Sequence, residues 1–259
     1  MDSPLFKRDK SLPAPRVVHD ADAKAVEVVP GVSRIVEVNP LALERERILP
    51  PGASGPHGGA YKMLRTQVLR RLDKIKANTL AVVGNEPGTG KTLTAINLAI
   101  AVAADADRTA LLVDLDLRKP SIHRRLGFEP KAGIDDCLRQ ERPLRDALVR
   151  LVGYERLAVL PAREPCQNSS ELLSTQFTQE LVKEMRQRYK DRVLIFDLPP
   201  VLQTDDALAF SPHVEAALVV VGEGRTQRQE LMRTLDLMRD LSIVGTVLNR
   251  TREAVDKYY

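Results

Sequence analysis

The sequence predicts an α/β fold in which helices cover both faces of a mostly parallel central sheet. Six short runs of aliphatic and β-branched residues lack polar alternation, which is typical of strands buried on both faces. Helical segments separate these runs, and the alternation indicates right-handed crossovers between parallel strands. A glycine-rich loop also joins the first run to a helix. Because ligands bind such sheets at the carboxyl ends of the strands, the residues after each run are the candidate functional residues.

Composition and charge narrow the class of protein. The chain has 259 residues, a mass of 28.8 kDa and 43% hydrophobic residues, enough for one large α/β domain. Its net charge of +4 is too small to predict nucleic-acid binding. Cys137 and Cys166 have no metal-ligand spacing and indicate a reducing compartment. Without a membrane-spanning run or a secretion signal, we expect a cytoplasmic protein that reaches a membrane only through a partner or a surface.

Residues 1–57 differ from the rest of the chain and are expected to form a largely unstructured arm. Eight prolines fall in this segment, and its end, PPGASGPHGG, is interpreted as unable to hold a helix or a central strand. AVEVV and SRIVEV are candidate short strands. We expect the folded domain at residues 58–255, followed by a short tyrosine-containing tail at residues 256–259.

The folded domain is predicted to begin with an amphipathic helix from residue 60. Leu64, Val68, Leu72 and Ile75 recur at helical spacing, and basic side chains lie mostly on the other faces. These charges fit a solvated surface, and a membrane or partner site is the alternative. The predicted strands follow as TLAVVG, ALLVD, RLAVLP, RVLIFD, AALVVVG and IVGTVLN.

The first strand leads into a phosphate-binding loop. GNEPGTGKT matches G-x-x-x-x-G-K-[ST] with Gly84, Gly90, Lys91 and Thr92, and a helical run follows it as the motif requires. Backbone N–H groups of such a loop and the start of the helix bind phosphate oxygens. Lys91 is predicted to reach the β and γ phosphates, and the Thr92 hydroxyl to ligate Mg²⁺.

Charged residues end the second strand, in LLVDLDLRKP. If the extended conformation persists, their spacing places Asp114, Asp116 and Arg118 on the same side. The acids would then bind Mg²⁺ or accept a proton, and the arginine would neutralise phosphate or bind a partner. A polar turn before Pro120 is the alternative, which the neighbouring phosphate loop disfavours.

A further acidic residue ends the strand RVLIFD. Asp197 suits a Walker B carboxylate that holds the Mg²⁺ shell, and two prolines then stop the strand. Three strand ends are therefore predicted to converge on one Mg²⁺–nucleotide site.

In this order the motifs resemble the cytoplasmic domain of bacterial tyrosine kinases of the polysaccharide co-polymerase system, which have a MinD/ParA-like P-loop fold. EPGTGKT, the run into DLDLRKP, LIFDLPP and the loop PAREPCQNSSELLST carry the resemblance, which extends from about Ala60 to the end. In that loop Ser169 stands where the family segment has proline.

The resemblance implies an ATP-dependent protein-tyrosine autokinase that regulates exopolysaccharide or capsule biosynthesis and export. It implies that Asp114 activates the tyrosine hydroxyl, and that Asp116 and Asp197 support Mg²⁺ together with Thr92. The candidate catalytic residues are Lys91, Asp114, Asp116, Arg118 and Asp197. Nucleotide contacts are expected from Gly88, Thr89, Gly90, Lys91, Thr92 and Leu93, with Asn249 near the adenine.

Partners are also implied by the resemblance. A separate transmembrane co-polymerase would activate this chain and hold it at the inner membrane, and no nucleic acid is expected. The family's first helix carries E-x-x-R-x-x-R for subunit assembly, whereas the matching positions here are Gly59, Lys62 and Arg65, so a homo-oligomer stays open. Tyr258 and Tyr259 are the expected phosphoacceptors, where the family usually has a longer tyrosine cluster.

Two other functions stay open. One is a nucleotide-switched ATPase of the MinD/ParA kind, although Glu86 occupies the loop position where that group usually has a lysine. The other is a catalytically weak scaffold of the polysaccharide assembly complex, which the altered helix motif and the short tail would suit.

Overall fold

An eight-stranded sheet forms the centre of the protein. A computed structural model describes residues 34–188 and 191–251. The strands in these ranges are β1 (Arg34–Val36), β2 (Thr79–Val83), β3 (Thr109–Asp114), β4 (Val149–Leu151), β5 (Leu157–Leu160), β6 (Arg192–Asp197), β7 (Ala216–Gly222) and β8 (Ser242–Asn249). They lie in the order β1-β4-β5-β3-β6-β2-β7-β8. Neighbouring strands are parallel except for β4 and β5, so the mostly parallel sheet is confirmed.

The six strands predicted from apolar runs are β2, β3 and β5 to β8. Every residue of β2 and β6 is buried, which explains why their sequences show no polar alternation. β1 lies within the candidate strand SRIVEV. The sequence does not predict β4, because its three residues, VRL, include a charge and form no apolar run.

Helices cover both faces of the sheet, as expected. They are α1 (Pro40–Arg45), α2 (Gly55–Ile75), α3 (Lys91–Ala103), α4 (Ile122–Leu126), α5 (Ile134–Leu138), α6 (Leu144–Ala147), α7 (Ser169–Leu173), α8 (Gln176–Arg188), α9 (Asp206–Phe210) and α10 (Arg228–Leu237), with a 3-10 helix at Ser211–His213. Leu80 and Val82 of β2 belong to one core cluster with α2 and α3, whereas Ala81 and Val83 belong to another with α8 and α9. Because successive side chains of β2 point to opposite faces of the sheet, the strand contributes to a hydrophobic core on each face.

Residues 34–57 differ from the unstructured arm that we expected. Leu43, Ile48 and Leu49 are buried in the same core cluster as α3. The Leu49 N–H donates to Oδ1 of Asn97 at 2.9 Å, and the Asn97 amide donates to the Arg47 carbonyl oxygen at 3.0 Å. This segment is therefore part of the folded domain, whose predicted start at residue 58 is wrong.

Helix α2 begins at Gly55, inside the segment PPGASGPHGG that was interpreted as unable to hold a helix. Pro56 lies in the first turn, where its missing N–H loses no helical hydrogen bond and its fixed φ suits the helix. Of the predicted apolar face, Val68 and Leu72 are buried and Leu64 packs against the same core, whereas Ile75 at the end of the helix is exposed. The candidate strand AVEVV and the tail at residues 256–259 lie outside the described residues.

Among the described residues, no helix is both long enough and apolar enough to cross a bilayer. Cys137 and Cys166 are free thiols, and both are buried. Burial raises the pKa of the Cys137 thiol to about 12, so this thiol remains protonated at neutral pH and packs as a small apolar side chain.

Candidate functional site

The glycine-rich loop joins β2 to α3 at the carboxyl edge of the sheet. Gly90 has a φ of 96°, in the left-handed region that glycine tolerates, and α3 begins immediately after it. An added Cβ at Gly90 would overlap Nδ2 of Asn249, so the position also has no room for a side chain. The same amide donates to the carbonyl oxygen of Thr89 at 2.8 Å. The end of β8 therefore contacts the loop directly, while a role for Asn249 near adenine stays a prediction.

Lys91 lies beneath this loop and is 6% exposed. Its Cδ would contact a Cβ on Gly84 at 3.0 Å, so the loop closes over the stem of the lysine. Burial raises the pKa values of Asp116 and Asp197, and the ammonium charge of Lys91 opposes this rise in both, so it is near both carboxylates. Leu93, in the first turn of α3, packs its side chain against the core, so a nucleotide contact by this residue would come from its backbone.

Two buried carboxylates end the neighbouring strands β3 and β6. Asp114 and Asp197 are paired in the register of these strands, and neither is exposed. Oδ2 of Asp114 accepts the N–H groups of Ser121 and Ile122, both at 3.0 Å. Within the described ranges, Oδ1 of Asp114 and both oxygens of Asp197 accept no well-formed hydrogen bond. The hydroxyl of Thr92 nevertheless lies close enough to Asp197 to oppose the rise in pKa that burial causes.

Burial raises the pKa values of all three acids. It is the largest cause for Asp114, whose pKa lies well above 3.8, and the negative charge of Asp197 is the second. The pKa of Asp197 rises to about 6 by burial, against the opposing charge of Lys91. Burial also raises the pKa of Asp116, with Lys91 again opposing. Carboxylates without partners at this depth are costly, so the cluster is suited to receive a cation.

The chain leaves the extended conformation after Asp114, because β3 ends there and a turn follows. The Lys119 N–H donates to the carbonyl oxygen and to Oδ1 of Asp116, both at 3.1 Å. The expectation that strand spacing aligns Asp114, Asp116 and Arg118 is therefore wrong, and the polar turn is present beside the acidic site. Arg118 instead forms a two-point ion pair with Asp206, from Nε to Oδ2 at 3.0 Å and from Nη2 to Oδ1 at 3.2 Å.

The residues present fit a Mg²⁺–nucleotide complex. The free oxygens of Asp197 are hard ligands of the type that Mg²⁺ prefers, Oδ1 of Asp114 is free to accept a proton beside them, and Lys91 with the loop amides suits phosphate. In the part of the chain that the structure describes, no three His, Cys, Asp or Glu side chains form a metal site by themselves. Mg²⁺ bound here would complete its shell with phosphate oxygens and water, as is usual for this ion.

Sequence reasoning missed two residues at this edge of the sheet. Nη1 of Arg225, just after β7, lies 2.9 Å from the position of a Cβ on Gly88, so the guanidinium lies over the loop. The rule that ligands gather where strands end would have identified it. Asp206 is the other residue, and no sequence signal distinguishes it from Asp205 because its importance comes from burial.

The tyrosines fall into two groups. Tyr189, Tyr258 and Tyr259 lie outside the described residues. Tyr154 is 7% exposed and donates its hydroxyl to the Leu49 carbonyl oxygen at 3.0 Å, and burial raises the pKa of Tyr61. Tyr61 and Tyr154 therefore have packing roles.

Most of the chain is similar to known proteins. A family model described as ParA, NUBPL iron-transfer P-loop NTPase, matches residues 75–255, a range that contains Lys91, Asp114 and Asp197. Tyrosine-protein kinase YwqD of Bacillus subtilis (strain 168) is 28% identical over 191 residues, covering 73% of this chain and 79% of that protein. Succinoglycan biosynthesis transport protein ExoP of Rhizobium meliloti (strain 1021) is 30% identical over 182 residues, covering 68% of this chain and 22% of that protein.

A solved structure shows the same architecture. The chimerical protein CapA2B2 superposes with a TM-score of 0.69 at 27% identity, covering 74% of this chain and 84% of that one. Several further curated relatives are much longer, since the chain spans only 25% to 27% of their length. The shared region is therefore a domain that occurs both nearly alone and within longer proteins.

Proposed function

The chain belongs to the ParA family of P-loop NTPases, and from this membership we propose that it is an ATP-dependent protein-tyrosine autokinase of polysaccharide assembly. The observation that carries the proposal is the pair of buried, partly unpartnered carboxylates, Asp114 and Asp197, beside Lys91. A phosphate loop alone binds nucleotide, whereas this pair adds a proton acceptor and a metal ligand. The similarity to proteins named as tyrosine kinases supports the choice of acceptor.

The loop and α3 bind the phosphates. Backbone N–H groups of Gly88, Thr89 and Gly90 surround phosphate oxygens, and the Lys91 ammonium neutralises the β and γ phosphates. Thr92, Asp116 and Asp197 would hold Mg²⁺, which would neutralise charge at the phosphates when bound. Positioning and electrostatics of this kind account for most of the rate of phosphoryl transfer.

Asp114 is the proposed general base. A phenol with a pKa near 10 is about 0.1% ionised at pH 7, so a carboxylate that accepts its proton is useful. The tyrosine oxygen forms a bond to the γ phosphorus, the bond from phosphorus to the bridging oxygen of ADP breaks, and the proton passes to Oδ1 of Asp114. The raised pKa of Asp114 favours this role, because a base is most effective when its pKa approaches the working pH.

The biological setting is proposed from relatives. ExoP is named as a succinoglycan biosynthesis transport protein, which supports a role in polysaccharide production. We assign the activation of this chain to a separate transmembrane co-polymerase, which would hold it at the inner membrane. A homo-oligomer is not part of the proposal, because Arg65 of the altered helix motif contacts its own chain through Asp105 and the Ala101 carbonyl oxygen.

Nucleotide binding is tested with Lys91→Met. We expect this substitution to abolish binding of a fluorescent ATP analogue while the far-ultraviolet circular dichroism is unchanged, because the change removes a charge and keeps a similar volume. Lys131→Met, at an exposed position, is the control and should bind normally. Unchanged affinity in Lys91→Met would contradict the site.

Phosphotransfer is tested by incubating the full chain with Mg-ATP and its co-expressed membrane neighbour, followed by mass-spectrometric mapping. We expect phosphate at Tyr258 or Tyr259, and Tyr154→Phe should not change the amount. Phosphate confined to other residues would contradict the tail as acceptor. ATP hydrolysis without any phosphotyrosine would favour the nucleotide-switched ATPase instead.

A further inference from the structure

Asp206 is a buried carboxylate at the start of α9 that none of the roles above explains. It has no exposure, and a charge at that depth requires partners. Besides the two bonds from Arg118, at 3.0 and 3.2 Å, both oxygens of Asp206 lie 3.0 Å from Oγ of Ser169. Asp206 therefore connects the turn after β3 with the start of α7.

Arg118 is the exposed member of this group, with 38% of its side chain accessible against none for Asp206. A two-point pair with a carboxylate fixes the plane of the guanidinium, which a single contact would not do. The pair uses Nε and Nη2 and leaves Nη1 outside it. The charges of Asp206 and of Lys91 both influence the pKa of Asp116. Because Lys91 belongs to the phosphate loop, the pair of Arg118 and Asp206 lies beside the nucleotide site.

We propose that Asp206 and Ser169 are positioning residues that hold the Arg118 guanidinium in one orientation, so that Nη1 binds a phosphate oxygen of the nucleotide. The inference rests on the proposed function for phosphoryl transfer to tyrosine, but ATP hydrolysis is enough to test it. An arginine in this position neutralises the charge that develops on the transferring phosphoryl group. Asp206 contacts no nucleotide in this arrangement and acts only through Arg118.

Ser169 supplies the hydroxyl that contacts Asp206. It stands where the family segment that PAREPCQNSSELLST resembles has proline, and it is the first residue of α7. Proline is well tolerated there, because the N–H of a first helical residue has no partner within the helix. Serine adds a hydroxyl donor that proline lacks. Placed at the same distance from both oxygens of Asp206, it limits rotation of the carboxylate.

A double-mutant cycle tests the coupling. Asp206→Asn keeps the side-chain shape but removes the charge, and we expect it to lower kcat for ATP hydrolysis about tenfold with KM changed less than about threefold. In protein that already carries Arg118→Ala, we expect Asp206→Asn to lower kcat no further, because its effect passes through the arginine. Equal losses in the two backgrounds, or a normal kcat for Asp206→Asn, would overturn the proposal.

A second variant, Ser169→Ala, tests the same proposal if Asp206→Asn unfolds the protein. We expect Ser169→Ala to lower kcat about threefold, because one hydrogen bond is lost. In protein that already carries Arg118→Ala, it should have no effect on kcat. Ser174→Ala is the matched control, since its hydroxyl donates to the Glu171 carbonyl oxygen at 3.0 Å, and it should leave kcat unchanged. A Ser169→Ala loss that persists without the Arg118 guanidinium would contradict the proposal.

The two claims fail separately. If the unsubstituted protein hydrolyses ATP but forms no phosphotyrosine, the proposed function is wrong, and the double-mutant cycle on hydrolysis still decides the role of Asp206. If phosphotyrosine forms and the cycle is additive, only the positioning role is wrong.

Discussion

Asp197 shows how function conflicts with stability at the level of a single residue. Its carboxylate is fully buried, yet its oxygens accept no well-formed hydrogen bond from the described residues. Burial therefore raises its pKa to about 6, even though Lys91 is near. A buried charge of this kind destabilises the folded protein until a ligand neutralises it. Such strain is expected where a site must bind Mg²⁺ and release it.

We predict that Asp197→Asn stabilises the metal-free protein above pH 6 while it weakens Mg²⁺-dependent ATP binding. Because the folded pKa of about 6 exceeds 3.8, the ordinary value of an aspartate in the unfolded chain, the folded state binds more protons between these values. The free energy of unfolding thus falls as pH rises through this window and stays reduced above it. Removing the ionisable group should raise it by about 1–3 kcal/mol at pH 8.

Urea unfolding between pH 4 and 8, in the presence of a chelator, measures this effect. The advantage of Asp197→Asn should shrink towards pH 4, where the native carboxylate is protonated. Asp205→Asn is the control, because the same substitution is made at a side chain that is 70% exposed. A less stable Asp197→Asn protein at pH 8 would refute the explanation.

At the level of secondary-structure elements, β7 and β8 support the phosphate loop from the side opposite the acids. Asn249 at the end of β8 donates to the Thr89 carbonyl oxygen at 2.8 Å. After β7, Thr226 donates to Oδ1 of Asn85 at 3.1 Å, and the Asn85 amide donates to Oε2 of Glu230 at 3.1 Å. The loop conformation is therefore a property of three strands and of the start of α10.

Arg225 is predicted to contribute to nucleotide affinity from this side. Its guanidinium lies over Gly88, and Arg225→Ala should weaken ATP binding about tenfold, the usual effect of one charged hydrogen bond to phosphate. Isothermal titration calorimetry at fixed Mg²⁺ measures the change. Arg228→Ala, at the exposed first residue of α10, is the matched control and should bind as the unsubstituted protein does. Equal affinities for the two variants would exclude a contact by Arg225.

At the level of the whole molecule, the segment before α2 belongs to the domain. Leu43, Ile48 and Leu49 complete the core cluster on the side of α3, and Tyr154 of the same cluster donates its hydroxyl to the Leu49 carbonyl oxygen. Burial of a leucine or isoleucine contributes about 1.5–3 kcal/mol, so these three side chains together rival the net stability of a typical domain.

We therefore predict different results for two truncations. Relative to a chain that begins at residue 34, one that begins at residue 58 should lose about 4 kcal/mol or more of its free energy of unfolding and fold poorly. Differential scanning calorimetry and the yield of monomeric protein measure both effects. Full stability of the shorter chain would show that the segment is dispensable.

The sequence by itself determined the central strands and the phosphate loop. These signals are local, because an apolar run marks a strand buried on both faces and the loop motif is contiguous from Gly84 to Thr92. It also predicted that Asp114 and Asp197 lie at the same edge of the sheet, because the carboxyl ends of parallel strands meet there. Each of these features depends on residues within a short window or on one general rule of sheet topology.

Only the tertiary structure decided the contacts between distant segments. The pairing of Arg118 with Asp206, the packing of the segment before α2 and the position of Arg225 over Gly88 each join residues far apart in the sequence. Asp205 and Asp206 show why the sequence could not predict such contacts. The two residues are identical and adjacent, yet Asp206 is buried and Asp205 is exposed because of what packs around each of them. The effect of Pro56 also depends on its position, because a proline in the first turn of α2 is compatible with the helix.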